Sequence, residues 1–182
     1  MTINNIGSKL FKEVKYFKLN TFTDKRGSFK ETFNKEIQEF IGCNISFIQD
    51  NESASKFGVL RGLHFQKKPR EQSKLIRVSK GKIQDIIVDI RKDSATYAKW
   101  ESFDLSAQNN NMLFVPKGFA HGFLVLSEKA IVNYKVDNFF DSKLDAGVIY
   151  NDKQLDIEWN LSFKDIIISD KDKSLPSLKS WI

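Results

Sequence analysis

The chain has 182 residues, of which 41% are hydrophobic and 13% aromatic, so its length and composition suit one domain, residues 1–182, with a full core. The single cysteine, Cys43, excludes an intrachain disulfide. Because the sequence shows neither a signal-peptide pattern nor a run of roughly 18 to 20 apolar residues, we expect a cytoplasmic protein without a membrane span.

The formal net charge of +6 comes from basic and acidic residues that are interleaved along the chain. The absence of a basic cluster argues against a nucleic-acid partner and favours a small anionic ligand.

Short elements follow one another along the chain. Helical patterns cover Lys35 to Ile41 and Phe163 to Ile166. Alternating apolar runs predict strands at Leu75 to Val78, Ile83 to Ile90, Met112 to Val115, Gly122 to Leu126 and Ala130 to Val136. Regular spacing of strands and turns predicts an all-β sandwich or barrel. From about Asn151 the chain is polar with scattered aromatic residues, and we expect this part to pack across the barrel as an arm.

The two histidines lie in segments that match cupin motifs. His121 follows Pro116 and Gly118 with the spacing of the second cupin motif, and His64 follows Gly58 as at the start of the first. The similarity supports a double-stranded β-helix barrel of the cupin or jelly-roll type. Taken alone, either histidine is better explained as a hydrogen-bonded structural residue than as a catalyst.

The ligands for a metal ion are incomplete. Metal-binding cupins use a second histidine two residues after the first, plus a glutamate, to complete three or four ligands. Gln66 occupies that position, and two histidines with Glu71 make a poor metal site. The sequence also lacks a GxGxxG turn for a nicotinamide cofactor. We therefore expect no metal and no other cofactor, and chemistry by acid and base alone.

Long motifs between Asp24 and Trp159, about three quarters of the chain, follow one another in the order of a known family. They are DKRGSFKETF, IQDNES, GVLRGLHFQ, QSKLIRVSKGKIQDIIVDIR, LSAQNNNMLFVPKGFAHGFLVLS, YKVDNFF and VIYNDKQLDIEW. These motifs closely resemble the dTDP-4-dehydrorhamnose 3,5-epimerase family of cupin-type sugar-nucleotide epimerases. The resemblance implies an isomerase that inverts C3, C5 or both in a nucleotide-diphosphate-linked 4-keto-6-deoxy sugar.

The resemblance also implies the catalytic residues. In the family, the C4 ketone acidifies the protons on C3 and C5, a base removes each proton, and reprotonation on the opposite face inverts the centre. His64 matches the base, since a neutral imidazole with a pKa of about 6.5 accepts a proton near neutral pH. Asp172 matches the carboxylate that orients it, with Asp170 as the second choice. Tyr134 matches the acid, and Lys74 matches the cation near the ketone oxygen.

Simpler explanations exist for the same residues. Alternation puts Val132, Tyr134 and Val136 on one face of a strand, where core packing would account for the tyrosine. Solvated surface charges would account for Lys74, Arg61 and Asp172.

Substrate contacts are implied in the same way. Arg61 suits a diphosphate because guanidinium forms bidentate bonds to oxyanions. Arg26 and Glu31 are expected to come from the neighbouring subunit of a homodimer. The other matching binding positions are Phe29, Gln49, Asn51, His121, Phe140, Asp145 and Lys171.

The chain departs from the family pattern at two positions near the expected nucleotide-binding site. Two consecutive tyrosines of the family are Phe139 and Phe140 here, and the second of them stacks on thymine in the dTDP enzymes. Phenylalanine keeps the ring but loses the hydroxyl. Because stacking tolerates any base, the change is compatible with thymidine and also with guanosine. Smaller departures are Ser73, where glycine is common, and Asp145, where glutamate is.

Three hypotheses follow. The first is a 3,5-epimerase that converts dTDP-4-dehydro-6-deoxyglucose to dTDP-4-dehydrorhamnose for polysaccharide synthesis. The second keeps the chemistry but acts on a GDP-linked 4-keto heptose or another capsule or lipopolysaccharide sugar, or inverts only C3 or only C5. The third is a non-catalytic sugar-binding cupin, which the presence of both a base and an acid disfavours.

Overall fold

The computed structural model describes residues 3–42 and 44–181, and Cys43 lies outside them. Strands are the main regular secondary structure of the described residues. They are β1 (Ile3–Asn5), β2 (Lys15–Leu19), β3 (Phe22–Asp24), β4 (Gly27–Phe29), β5 (Gln49–Lys56), β6 (Leu60–Gln66), β7 (Lys74–Lys80), β8 (Lys82–Asp89), β9 (Trp100–Ser106), β10 (Asn111–Val115), β11 (Phe119–Val125), β12 (Lys129–Val136) and β13 (Asp145–Gly147). The helices are α1 (Lys35–Ile41), α2 (Asp170–Lys173) and the 3₁₀ turns Phe163–Asp165 and Leu178–Trp181. Within the described ranges, no helix is long and apolar enough to cross a membrane.

Two antiparallel sheets face each other across an apolar core. One sheet has the order β1-β2-β10-β7-β12-β5 and the other β13-β6-β11-β8-β9, while β3 and β4 form a separate hairpin. Ile76 and Val132 of the first sheet meet Ile87 and Phe123 of the second in this core. Every predicted strand lies in one of the two sheets, and the predicted all-β architecture is confirmed.

The outer faces of the sheets are covered by helix α1 and by the C-terminal arm. Helix α1 has the predicted bounds because Asn34 caps it, accepting a hydrogen bond from Ile37 N at 3.0 Å. Its buried Ile37 and Ile41 pack on the outer face of the six-stranded sheet. The second predicted helix is only a 3₁₀ turn at Phe163–Asp165.

The arm that was expected from Asn151 onward is confirmed. Leu155, Ile157 and Leu178 pack against Leu63 and Ile86 on the outer face of the five-stranded sheet. Each Å² of apolar surface that is buried contributes about 25 cal/mol of stabilising free energy, and this burial holds the irregular segment in place. The arm thereby brings α2 to the barrel.

A bulge in β6 turns two side chains toward the same side. His64 is paired with His121, and Arg61 is paired with Phe123, so two residues of β6 lie opposite one residue of β11. Paired residues of neighbouring strands face the same side of a sheet. Arg61 and His64 therefore both face the barrel interior, although simple alternation would put residues three apart on opposite faces.

Glycine makes this bulge possible. Gly62 has φ +133°, and a Cβ there would lie 2.5 Å from the Cα of Gly122. Both the backbone conformation and the close approach of the two strands exclude a side chain. The bulge therefore depends on glycine at this position.

Candidate active site

A cavity of about 340 Å³ has walls from both sheets and from the arm. Its lining residues are Ser53, Arg61, His64, Lys74, His121, Phe123, Tyr134, Ser169, Lys171 and Asp172. The structure thus brings all four predicted catalytic residues into one cavity, together with three of the predicted substrate contacts.

His64 contacts the carboxylate of Asp172. Its Nε2 lies 2.8 Å from Asp172 Oδ1, and Gly62 N donates to Oδ2 at 3.2 Å. Burial raises the pKa of Asp172, but the hydrogen bond and the charge of His64 outweigh that effect and lower it overall. When Nε2 donates to this carboxylate, Nδ1 carries the lone pair that can accept a proton.

Helix α2 positions Asp172 and leaves Asp170 outside. Ser169 caps the helix by accepting a hydrogen bond from Asp172 N at 3.1 Å. The Asp170 side chain is fully exposed and pairs with Lys173 at 3.3 Å. Lys171 forms an ion pair with Asp145 at the rim. Of the two predicted carboxylates, only Asp172 reaches the imidazole.

A second histidine–aspartate pair was not predicted. His121 Nε2 lies 2.9 and 3.0 Å from the two oxygens of Asp85, which is fully buried. Burial lowers the pKa of His121 although Asp85 opposes this, so the neutral imidazole is favoured. The sequence did carry a signal, because Asp85 alternates with Ile83 and Ile87 on the inward face of its strand.

Lys74 and Tyr134 come from the opposite sheet. Lys74 Nζ donates to the backbone oxygen of His64 at 3.4 Å, and burial lowers the pKa of Lys74 to about 8. Tyr134 packs against the core on the face that the alternation predicted. Burial raises its pKa, an effect that Arg61 reduces, so the phenol keeps its proton at neutral pH. Base and acid candidates therefore face the cavity from different walls.

Seven predicted substrate contacts lie outside this cavity. They are Arg26, Phe29, Glu31, Gln49, Asn51, Phe140 and Asp145. Arg26 and Phe29 belong to the β3–β4 hairpin, where Phe29 is 66% exposed. Gln49 donates to Asn51 at 2.7 Å, and Asn51 is paired with Tyr134 across the sheet. Phe140 is 58% exposed.

Three lining residues were missed by the sequence reasoning: Ser53, Phe123 and Ser169. Ser53 lies on β5, whose sequence QDNESASK is polar apart from Ala54 and gives no apolar alternation. Phe123 could have been found, since it is two residues from His121 on one strand and therefore shares its face. Ser169 has the position of a helix N-cap.

Gln66, which replaces the second cupin histidine, has a structural role. Its buried amide donates to the carbonyls of Arg70 at 2.6 Å and Phe139 at 3.0 Å, and Asp141 N donates to its Oε1 at 2.6 Å. It thereby fixes the loop that carries the two exposed phenylalanines. In residues 3–42 and 44–181, no group of three or more His, Cys, Asp or Glu side chains is arranged to hold a metal ion.

A cavity that sets an imidazole on one wall against a phenol on the other suits an enzyme that moves protons, here inside a cupin-type barrel. The family described as dTDP-4-dehydrorhamnose 3,5-epimerase matches residues 9–180, and the chain belongs to that family. A dTDP-4-dehydrorhamnose 3,5-epimerase from Methanothermobacter thermautotrophicus is 47% identical over 159 residues, covering 87% of this chain and 85% of that protein.

Solved structures agree. The Bacillus anthracis dTDP-4-dehydrorhamnose 3,5-epimerase with TDP and PPi bound has a TM-score of 0.91 and 47% identity, covering 96% of this chain and 99% of that one. The Legionella pneumophila epimerase in complex with dTDP-4-keto-L-rhamnose has a TM-score of 0.92 and 38% identity, covering 97% and 93%. The predicted family, cupin-type fold and epimerase class are confirmed.

Proposed function

We propose that this protein converts dTDP-4-dehydro-6-deoxyglucose to dTDP-4-dehydrorhamnose by inverting C3 and C5. The observation that carries the proposal is the placement of His64 and Tyr134 on opposite walls of one cavity. Inversion needs a proton removed from one face of the sugar and another delivered to the opposite face. The dTDP-linked ligand bound by the Legionella relative supports the choice of substrate.

His64 removes the proton. The C4 ketone makes the C3 and C5 protons acidic, so a neutral imidazole can accept each in turn and leave an enolate. Asp172, whose lowered pKa keeps it ionised, stabilises the resulting imidazolium. A positioned general base of this kind contributes about 10² to 10⁴ in rate.

Lys74 stabilises the enolate oxygen. In a water-poor cavity, a fixed cation beside a developing negative charge is one of the largest catalytic contributions. His121 is held by Asp85 through Nε2, which leaves Nδ1 to accept a hydrogen bond from a sugar hydroxyl. These groups orient the ring between base and acid.

Tyr134 completes the inversion. Its phenol gives a proton to the carbanion carbon, and the tyrosinate regains one from solvent while His64 loses the proton that it took. Each inverted carbon therefore carries a hydrogen that came from solvent.

The charged end of the substrate lies at the rim. Arg61 Nε donates to Ser55 Oγ at 3.1 Å, which fixes the guanidinium for the diphosphate. Lys171 adds a second cation. The net charge of the lining residues thus suits an anionic ligand.

The nucleotide is bound between two subunits of a homodimer. Phe140 offers an exposed ring for stacking on the base. Gln49 and Asn51 lie on β5, at the edge of one sheet, and Asp145 lies on β13, at the edge of the other. Arg26, Phe29 and Glu31 are contributed by the partner subunit through the β3–β4 hairpin. The exposure of Phe22 (62%) and Phe29 (66%) supports an interface there, since exposed aromatic patches mark contact sites.

The test uses dTDP-4-dehydro-6-deoxyglucose in deuterated water with dialysed, chelator-treated protein. We expect inversion with deuterium at C3 and C5. His64→Asn should slow turnover by about 10² to 10⁴, and Asp172→Asn should act in the same direction to a smaller extent. Asp170→Asn is the matched control, because its exposed carboxylate lies outside the cavity, and should match the unaltered protein.

Other outcomes would contradict the proposal. Normal turnover by His64→Asn would show that His64 is not the base. If the chelator-treated protein regained activity only with an added divalent metal, the metal-free acid–base mechanism would be wrong. Product without solvent deuterium would show internal proton return. Faster turnover of a GDP-linked 4-keto sugar would assign a different substrate.

A further inference from the structure

Ser53 has a hydroxyl without a hydrogen-bond partner at the active-site cavity. It lines the cavity from β5, on the same face as Asn51 and Ser55. Its Oγ is shielded from solvent, and no partner for it exists within the described parts of the chain. A buried polar atom left unpaired costs free energy, and each such atom in a native protein calls for an explanation.

Its neighbours define which part of a ligand it faces. Asn51 is paired with Tyr134, and Ser55 accepts the Nε proton of Arg61 at 3.1 Å. Residues two apart on a strand are separated by about 7 Å. Along the strand, Ser53 therefore lies between the level of Tyr134, the proposed proton donor, and the level of Ser55, which holds the guanidinium of Arg61.

We propose that the Ser53 hydroxyl donates a hydrogen bond to an oxygen of the hexose 1-phosphate part of the substrate. The inference rests on the proposed function, which puts the sugar ring at Tyr134 and the diphosphate at Arg61. A serine side chain has one rotatable bond with three staggered positions, so the hydroxyl can turn from the wall to the ligand. Ser53 is thus a substrate-binding residue whose partner arrives with the substrate.

The test compares Ser53→Ala with the unaltered protein in two measurements. Thermal unfolding of the free protein should occur at the same temperature or higher, because the lost hydroxyl had no partner. The dissociation constant of dTDP-xylose, a sugar nucleotide without the C4 ketone, should rise about three- to tenfold, as for loss of one hydrogen bond. The KM for the keto sugar should rise similarly with kcat unchanged, the sign of binding lost equally in ground and transition states.

Binding of dTDP alone tells which oxygen is contacted. Equal weakening for dTDP and dTDP-xylose assigns a phosphate oxygen, and weakening for dTDP-xylose alone assigns a sugar oxygen. Both outcomes support the proposal. Ser79→Ala, on an exposed serine of β7, is the control and should leave both dissociation constants unchanged.

Two results would overturn the inference. Unchanged affinity of Ser53→Ala for both dTDP and dTDP-xylose would show that Ser53 does not contact the ligand. A lower unfolding temperature of the free variant would show that the Ser53 hydroxyl makes a structural hydrogen bond within the protein instead. Failure of the proposed function is distinguishable, because the unaltered protein itself would then bind neither ligand.

Discussion

Burial and hydrogen bonding set the protonation states of the titratable side chains in this cavity. Burial lowers the pKa of Lys74 to about 8 and disfavours the protonated form of His121, while hydrogen bonds keep Asp172 ionised. The cavity thus contains an ammonium that loses its proton easily (Lys74), an imidazole that favours its neutral form (His121) and a carboxylate that stays ionised (Asp172). Such separation of protonation states is typical of active sites.

The pKa of Lys74 predicts the alkaline limit of activity. Below a pH of about 8 the ammonium is present, and above it the cation is lost, so kcat/KM should fall as pH rises through that value. Tyr134 does not cause this limb because its pKa is raised. In a pH–rate profile, Lys74→Arg should move the limb to higher pH, since guanidinium keeps its proton above about pH 12.

Lys171→Arg is the control for that experiment, because Lys171 is an exposed lysine at the rim. We expect its profile to keep the alkaline limb. An unmoved limb in Lys74→Arg would show that another group limits the rate at high pH.

Individual elements differ in how far the sequence could predict them. Helix α1 and five core strands carried regular apolar periodicity or a capping residue, and these were predicted. Strand β5 lacks an alternation of apolar and polar residues, and the bulge in β6 interrupts the regular pattern. Neither strand was therefore predicted, although together they supply Ser53, Arg61 and His64. The interruption of the regular pattern in β6 is what aims Arg61 into the cavity.

The bulge predicts a specific cost for a side chain at position 62. Gly62→Ala adds a Cβ 2.5 Å from Gly122 Cα at φ +133°. Gly7→Ala is the matched control, since Gly7 also has a positive φ, +82°, but has nothing within 4 Å of an added Cβ. Gly7→Ala should lower the free energy of unfolding by about 1 to 2 kcal/mol through backbone strain.

Gly62→Ala should cost about 1 to 3 kcal/mol more through overpacking, measured by urea unfolding. Its turnover should also fall, because the Gly62 N–H holds Asp172, whereas Gly7→Ala should keep normal turnover. Equal stability losses in the two variants would show that the strands separate easily at this point.

The whole molecule assembles its site from distant parts of the sequence. His64, Lys74, Tyr134 and Asp172 span more than one hundred residues, and alternation alone says only that some of them face inward. Their roles could be predicted by resemblance to a family, whereas Asp85 and Ser53 needed the fold to reveal their partners or lack of them. Arg26 stays outside its own cavity, on a hairpin with exposed phenylalanines, and this placement agrees with a site shared between subunits.

A shared site predicts complementation between inactive variants. His64→Asn removes the base from a subunit's own cavity, and Arg26→Ala removes a contact given to the partner's cavity. A mixed dimer then has one site with both defects and one with neither. Random reassembly of equal amounts under the C₂ symmetry usual for dimers should restore about a quarter of the original turnover, measured at substrate concentrations where each variant alone is nearly inactive.

The control for complementation is a mixture of His64→Asn with Asp172→Asn. Both residues serve the same cavity, so every site in the mixed dimer keeps one defect and no turnover should be regained beyond the sum of the two variants. If the mixture of His64→Asn with Arg26→Ala also showed no gain although size-exclusion chromatography of differently tagged chains proved that they had exchanged, Arg26 would serve its own subunit. The hairpin would then have to fold back over its own barrel, and the exposed Phe22 and Phe29 would need another explanation than contact with a second copy of the chain.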